Sequence, residues 1–208
     1  MQKIFSTDGL IYGGMERLYQ VLLLNVIFII SCLPLFTIGA AISAAYGTAY
    51  KLTEHKEGVL YKTYWHQFKQ NFPPATKMWL LIIAIVGGML FALPYFRYLI
   101  VGNKVAYYMV MVGLTFIILL SLYLFPLIAR FENTLAATIT NAMILSLKHL
   151  PISIILFFVT VGGLFLLPVY LPKLLFAWLF IGFGSVFFIN AKLLLKVFSQ
   201  YENMKEGS

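Results

Sequence analysis

Charge is what this 208-residue chain has least of: Asp, Glu, Lys and Arg together make up 11% of it, against roughly 25% in an average globular domain. So few charged side chains cannot clothe a compact water-soluble domain of this length, which excludes an ordinary soluble enzyme. Cysteine is nearly absent too. The single Cys32 excludes an intramolecular disulfide and carries no redox-compartment signal. Ile29-Ile30-Ser31-Cys32 loosely resembles a lipoprotein cleavage box, but Asp8 and Glu16 fall where a leader should be purely basic, and Pro34 follows closely. No removable signal is expected. Recognisable catalytic chemistry is also missing: there is no Gly-x-Ser-x-Gly, no phosphate-binding glycine loop and no His-Glu-x-x-His. His55, His66 and His149 lack metal-ligand spacing, and the 7 acidic residues offer no obvious carboxylate pair. The expectation is a protein that is not an enzyme and needs no cofactor or metal.

What the chain has in excess is apolar residues, 62% of the total, delivered in blocks of about twenty with no interior charge, as the hydrocarbon core of a bilayer requires. The blocks fall at residues 17–35, 78–96, 105–126, 152–171 and 174–195. The last two are joined by a four-residue turn and so are antiparallel neighbours. The expected architecture is all-α, a single polytopic domain of about five transmembrane helices whose first partner is the lipid bilayer. The net charge of +8 would point to nucleic acid in a soluble protein; here its first use is topological, because Lys and Arg gather on the cytoplasmic side. No nucleic-acid partner is expected.

Three further segments are less apolar. Residues 36–52 are rich in small side chains (Gly39, Ala40, Ala41, Ser43, Ala44, Ala45, Gly47, Ala49). About 15 helical residues reach roughly 22 Å, short of the roughly 30 Å core; they read as a half-buried or interfacial helix. Residues 51–77 carry most of the charge, and Tyr61, Tyr64, Trp65 and Phe68 fall on one helical face. That pattern reads as an amphipathic helix in the headgroup plane, ended by Pro73-Pro74. Residues 127–150 form a second amphipathic connector, in which Arg130 and Glu132 would satisfy nearby backbone or each other. Its placement and Leu-Pro ending loosely resemble the cytoplasmic coupling loop of ABC importer permeases, with Thr138 where that loop has its central glycine.

The two halves resemble each other. Ile42-Ser43-Ala44-Ala45 followed by Lys51 parallels Ile139-Thr140-Asn141-Ala142 followed by Lys148. A proline-led span follows each, with a glycine pair (Gly87-Gly88, Gly162-Gly163) and a closing proline (Pro94, Pro168). The pattern predicts two parallel span–amphipathic helix–span repeats, about 17–96 and 105–171, plus a final span at 174–195. The glycine pairs are expected at helix contacts. With five spans and the N-terminus outside, Lys3, Arg17, Arg97, Lys104 and Lys173 face out, leaving ten of the 15 basic residues inside. Folding the chain back at Pro34 to make a sixth span would improve this to twelve against three, but the repeat favours five.

Inside the spans only weakly polar groups occur, Asn25 and Asn190 among them. They read as interhelical hydrogen-bonding residues rather than an ion-coupling relay, which would use charge.

Three blocks then resemble one family. Leu24-Asn25 with Leu33-Pro34-Leu35-Phe36-Thr37-Ile38-Gly39-Ala40 is the first; Phe68-Lys69-Gln70-Asn71-Phe72 is the second. The third runs from Phe125-Pro126 through Arg130-Phe131-Glu132-Asn133-Thr134, with Asn141-Ala142 and His149-Leu150-Pro151 after it, at the end of the distinctive stretch that also holds Lys148. Together they resemble the YesL family, DUF624. The resemblance implies a multi-pass protein of the bacterial plasma membrane, of a Gram-positive cell, without catalytic residues to carry over. It also implies an accessory role in oligosaccharide uptake beside ABC importer permease subunits, since genes of the family often neighbour such importers. An uncoupled small-solute transporter or channel is the alternative.

Overall fold

The computed structural model describes residues 10–54, 58–100 and 104–206, with side chains at all of these except 10–12, 92–100, 104, 106–107, 110–111 and 202–206. The side chains of Lys3, Asp8, His55, Pro94, Arg97 and Lys104, named above, lie outside that description. Every regular element among the described residues is helical. Five segments are long and apolar enough to cross a bilayer: Gly13–Ser31, Leu60–Phe91, Val112–Arg130, Leu150–Tyr170 and Pro172–Tyr201. The chain is a multi-pass membrane protein.

Helix α1, Leu10–Ser31, ends where Pro34 takes an extended backbone, as a residue that cannot donate a helical hydrogen bond favours. The Thr37 hydroxyl lies 2.6 Å from the carbonyls of both Ser31 and Pro34, closing the turn. The chain re-enters at once as α2, Ile38–Thr53. Here the structure departs from the sequence reading. Of residues 39–50 only Ile42 is not buried, so α2 is the central helix of the bundle rather than an interfacial one. Its small residues explain this, because they let neighbouring backbones come close. A Cβ on Gly39 would stand 2.6 Å from the Ala75 carbonyl oxygen, and one on Gly47 would collide with the Gln67 side chain.

Helix α3 runs unbroken over Leu60–Ile100, 41 residues or about 60 Å. Pro73-Pro74 does not end it. The two prolines withdraw the N–H groups that would meet the Lys69 and Gln70 carbonyls, yet the helix continues because its inward stripe is packed against α2. Leu60, Tyr64, Gln67, Asn71, Ala75 and Met78 are all buried along that stripe. The aromatic face read from sequence is split by this contact: Tyr64 points inward while Tyr61 and Trp65 stay exposed. Gly39 meets Ala75 and Trp79 while Gly47 meets Gln67, so α2 and α3 are antiparallel. The Trp79 indole N–H donates to the Leu35 carbonyl at 2.9 Å and pins the turn before α2 to α3.

Helix α4, Lys104–Arg130, passes through Pro126 and ends at Arg130. Thr134 caps α5, Leu135–Lys148, its hydroxyl accepting from the Ala137 N–H at 3.3 Å. Pro151 sits in the first turn of α6, Leu150–Val161, where a missing N–H costs nothing. A π-helical turn at Gly162–Leu166 leads into α7, Leu167–Tyr170, and a tight turn into α8, Leu175–Glu206. In the π turn, Gly163 lies against Val186 of α8 and its carbonyl accepts the Trp178 indole N–H at 2.6 Å. The partner glycines Gly87 and Gly88 have nothing within 4 Å of a would-be Cβ. Gly162 is equally open, so among the described residues only Gly163 of the four is a helix contact.

The direction of α1 also differs from the reading with the N-terminus outside. Glu16, Arg17 and Gln20 border one cavity with Leu52 and Thr53 of α2 and Phe188, Ile189 and Lys192 of α8. Arg17 and Lys192 therefore share one end of the molecule. Since α1 and α2 meet at this end and again at the Pro34 turn, they form an antiparallel hairpin, the fold-back that charge counting preferred. The core of the bundle is aromatic and aliphatic: Tyr46 packs edge-on against Phe187, Tyr50 against Phe198 and Phe28 against Phe187.

Candidate functional site

The polar side chains of the described residues gather at the end of the bundle that holds Arg17 and Lys192. Three elements converge there: the last turn of α2, the first half of α3, and the end of α4 with the link to α5. They enclose a cleft of about 320 Å³ bordered by Gly47, Tyr50, Lys51, Glu54, Gln67, Gln70, Asn71, Arg130, Phe131 and Glu132, with Ile128 and Ala129 behind. Each arrives for a local reason. Tyr50, Lys51 and Glu54 lie along one side of the end of α2; Gln67 and Asn71 are one turn apart on the inward stripe of α3. Arg130 is the last residue of α4, where a cation meets the unpaired carbonyls and negative end of the helix dipole.

Arg130 Nη1 lies 2.6 Å from Glu54 Oε1, with about a fifth of each side chain exposed. The sequence reading had Arg130 and Glu132 satisfy nearby backbone or each other; Glu132 accepts from the Gln70 amide at 3.0 Å. The Asn71 amide donates to Gln67 Oε1 at 3.3 Å. Lys51 and Arg130 offset Glu54 and Glu132, so the formal charges bordering the cleft cancel. Tyr50 is 1% exposed and its hydroxyl finds no hydrogen-bond partner among the described residues. Among the same residues, no three of His, Cys, Asp and Glu stand close enough to hold a metal ion.

A second hollow of about 430 Å³ adjoins the first, sharing Gln70, Asn71, Phe131 and Glu132 and adding Pro74, Asn133, Thr134 and Thr138. A third, smaller groove joins Asn133 and Asn141 to Leu127, Phe131, Leu145, Phe198 and Tyr201. The segment 130–134 is the wall common to all three. Lys148 stands over the Tyr201 ring at 5.1 Å, and His149 Nε2 is 3.0 Å from the Tyr201 hydroxyl. The link and α5 are thereby tied to the end of α8.

Of the residues singled out in the sequence, the structure brings together Asn71, Arg130, Phe131, Glu132, Asn133 and Thr134, with Asn141 and Lys148 nearby. Others serve the scaffold. Asn25 bridges to α8, its amide N–H donating to the Leu179 carbonyl at 2.7 Å and its oxygen accepting from the Gly184 N–H at 3.0 Å. Pro34 and Thr37 shape the turn, Gly39 seats α2 on α3, and Phe68 stacks in a ring ladder with Tyr64, Trp65 and Phe72. Pro126 lies in the α4 segment that packs against α2, and Pro151 opens α6. Tyr50, Glu54 and Gln67 are not among the residues read as candidates from the sequence, and Gln70 enters only within the Phe68–Phe72 block. Only the helical spacing of Gln67 and Asn71, and of Tyr50 and Glu54, hinted at them.

Residues 21–93 match the family model DUF624, described as a protein of unknown function. The match spans the second half of α1, all of α2 and most of α3, and supports the resemblance to DUF624 over those residues. No curated protein and no solved structure matches the chain.

Proposed function

We propose that this chain is a non-enzymatic accessory component of a membrane assembly, holding a partner through the α5 side of its basic end. One observation carries the reading. Helix α5 is too short to cross a bilayer and buries Thr138, Ala142, Leu145 and Ser146 against the bundle, yet its other side exposes Met143, Ile144 and Leu147. On a membrane protein such a face is covered by lipid or by a partner; we assign it to a partner, through helix-in-groove contact. The small-residue helix α2 is buried inside the fold and offers no comparable face. Because α2 and the Tyr46, Tyr50, Phe187 and Phe198 rings fill the centre, an uncoupled solute path is the weaker reading.

The partner we propose is a permease subunit of a carbohydrate importer in a bacterial plasma membrane, a choice that rests on the resemblance to the YesL family. By the positive-inside rule the basic end is cytoplasmic, so α5 would meet the permease's cytoplasmic surface. Affinity purification from native membranes tests this. The expected result is a permease subunit recovered with the wild type and lost with Ile144→Glu plus Leu147→Glu while the variant keeps its wild-type melting temperature. Recovery of the protein alone would count against it.

A further inference from the structure

We propose that the cleft between α2, α3 and α4 binds an uncharged molecule bearing several hydroxyl groups, a sugar free in solution or carried on a lipid. The inference goes beyond the accessory role, since the cleft lies apart from the exposed side of α5 and needs no partner protein.

The chemistry of the lining selects the ligand. At about 320 Å³ the cleft falls at the small end of the usual ligand-pocket range, roughly 300–1,000 Å³. An apolar molecule is disfavoured, because it would strand the amides of Gln67 and Asn71. A phosphate or other dianion is disfavoured too. Of the two cations bordering the cleft, Arg130 is already held at 2.6 Å by Glu54, and the negative charge of Glu132 offsets that of Lys51. What remains is a set of planar, two-atom hydrogen-bonding groups, amides and carboxylates, that can each meet a pair of neighbouring hydroxyls. Phe131 adds an apolar ring for the carbon face of such a molecule.

The independent pointer to a ligand is Tyr50. Its side chain borders the cleft, is held by edge-on contact with Phe198 and is almost wholly buried, and its hydroxyl has no hydrogen-bond partner among the described residues. A buried hydroxyl left unsatisfied costs about 1–3 kcal/mol, which a bound hydroxyl would recover. Gly47 makes the space: a Cβ there would displace the Gln67 side chain, whose Oε1 it would meet first.

The experiment is calorimetric titration of the purified full chain in detergent micelles with maltose, cellobiose and gentiobiose, and with a diglucosyl diacylglycerol. Glucose 6-phosphate is the charged control. Saturable binding of a soluble disaccharide identifies a free sugar as the ligand source; binding of the glycolipid alone identifies a lipid headgroup. In either case Tyr50→Phe should weaken binding about tenfold, the worth of one hydrogen bond, with the melting temperature unchanged or raised. Gln67→Ala supplies a second reading, and it too should bind more weakly. No saturable binding to any of the four uncharged probes would overturn the proposal. So would tighter binding of glucose 6-phosphate, or wild-type affinity in both variants.

Discussion

Arg130, the last residue of α4, grips Glu54, the residue that caps α2, through an Nη1 to Oε1 contact of 2.6 Å. The pair ties the central helix to the segment 130–134, the wall shared by the cleft and the two hollows that adjoin it. With about a fifth of each side chain exposed, it is sheltered more than a surface ion pair, which is worth little.

Breaking this pair should therefore cost stability that restoring neutrality returns. Glu54→Gln or Arg130→Gln alone should each destabilise by about 1–3 kcal/mol, because each removes a charge-assisted contact from a largely buried partner. The double variant should be less destabilised than the sum, with the difference read from thermal unfolding in detergent as a double-mutant cycle. Strict additivity would mean that the two residues do not act on each other.

Two glycines that look alike in sequence should respond in opposite ways to alanine. Gly39→Ala forces a methyl group to within 2.6 Å of the Ala75 carbonyl oxygen and of the Trp79 Cβ. Separating α2 from α3 in this way should cost about 1–3 kcal/mol. Gly87→Ala meets nothing within 4 Å and should stabilise by up to about 1 kcal/mol through helix propensity. Melting temperatures of the two variants check the contrast, and a fall in both would contradict the open surroundings of Gly87.

Asn25 makes two hydrogen bonds to the backbone of α8, at Leu179 and Gly184. Asn25→Leu removes both and should lower stability by about 1–3 kcal/mol, as interhelical hydrogen bonds in a membrane are each worth about 0.6–2 kcal/mol. Unfolding in detergent is the measurement; a wild-type melting temperature would show that the bridge adds nothing.

The membrane character, the number of long apolar helices and the α8 turn were legible because bilayer thickness and short connectors act on local sequence. The polar pattern of Arg130-Phe131-Glu132-Asn133-Thr134 was likewise visible as a candidate. The position of α2 was not. A run of Gly and Ala looks weakly apolar and reads as interfacial, while its small volume is what admits it to the centre. Pro73-Pro74 misled in the other direction: two local breakers argue for an end to the helix, but the continuous stripe from Leu60 to Met78 is a tertiary contact that overrides them. The partner of Arg130 lies 76 positions earlier in the chain, a distance over which no periodicity speaks.

The central structural claim is that the chain doubles back at Pro34 around a buried α2, so that Arg17 and Lys192 share the end carrying every proposed functional surface. Side-specific thiol labelling in oriented membranes tests it most directly, with Cys32→Ser as a cysteine-free background. Single cysteines at Arg17→Cys and Lys192→Cys should be labelled from one side, and Lys173→Cys from the other. Labelling of Arg17→Cys together with Lys173→Cys, and opposite to Lys192→Cys, would contradict the account.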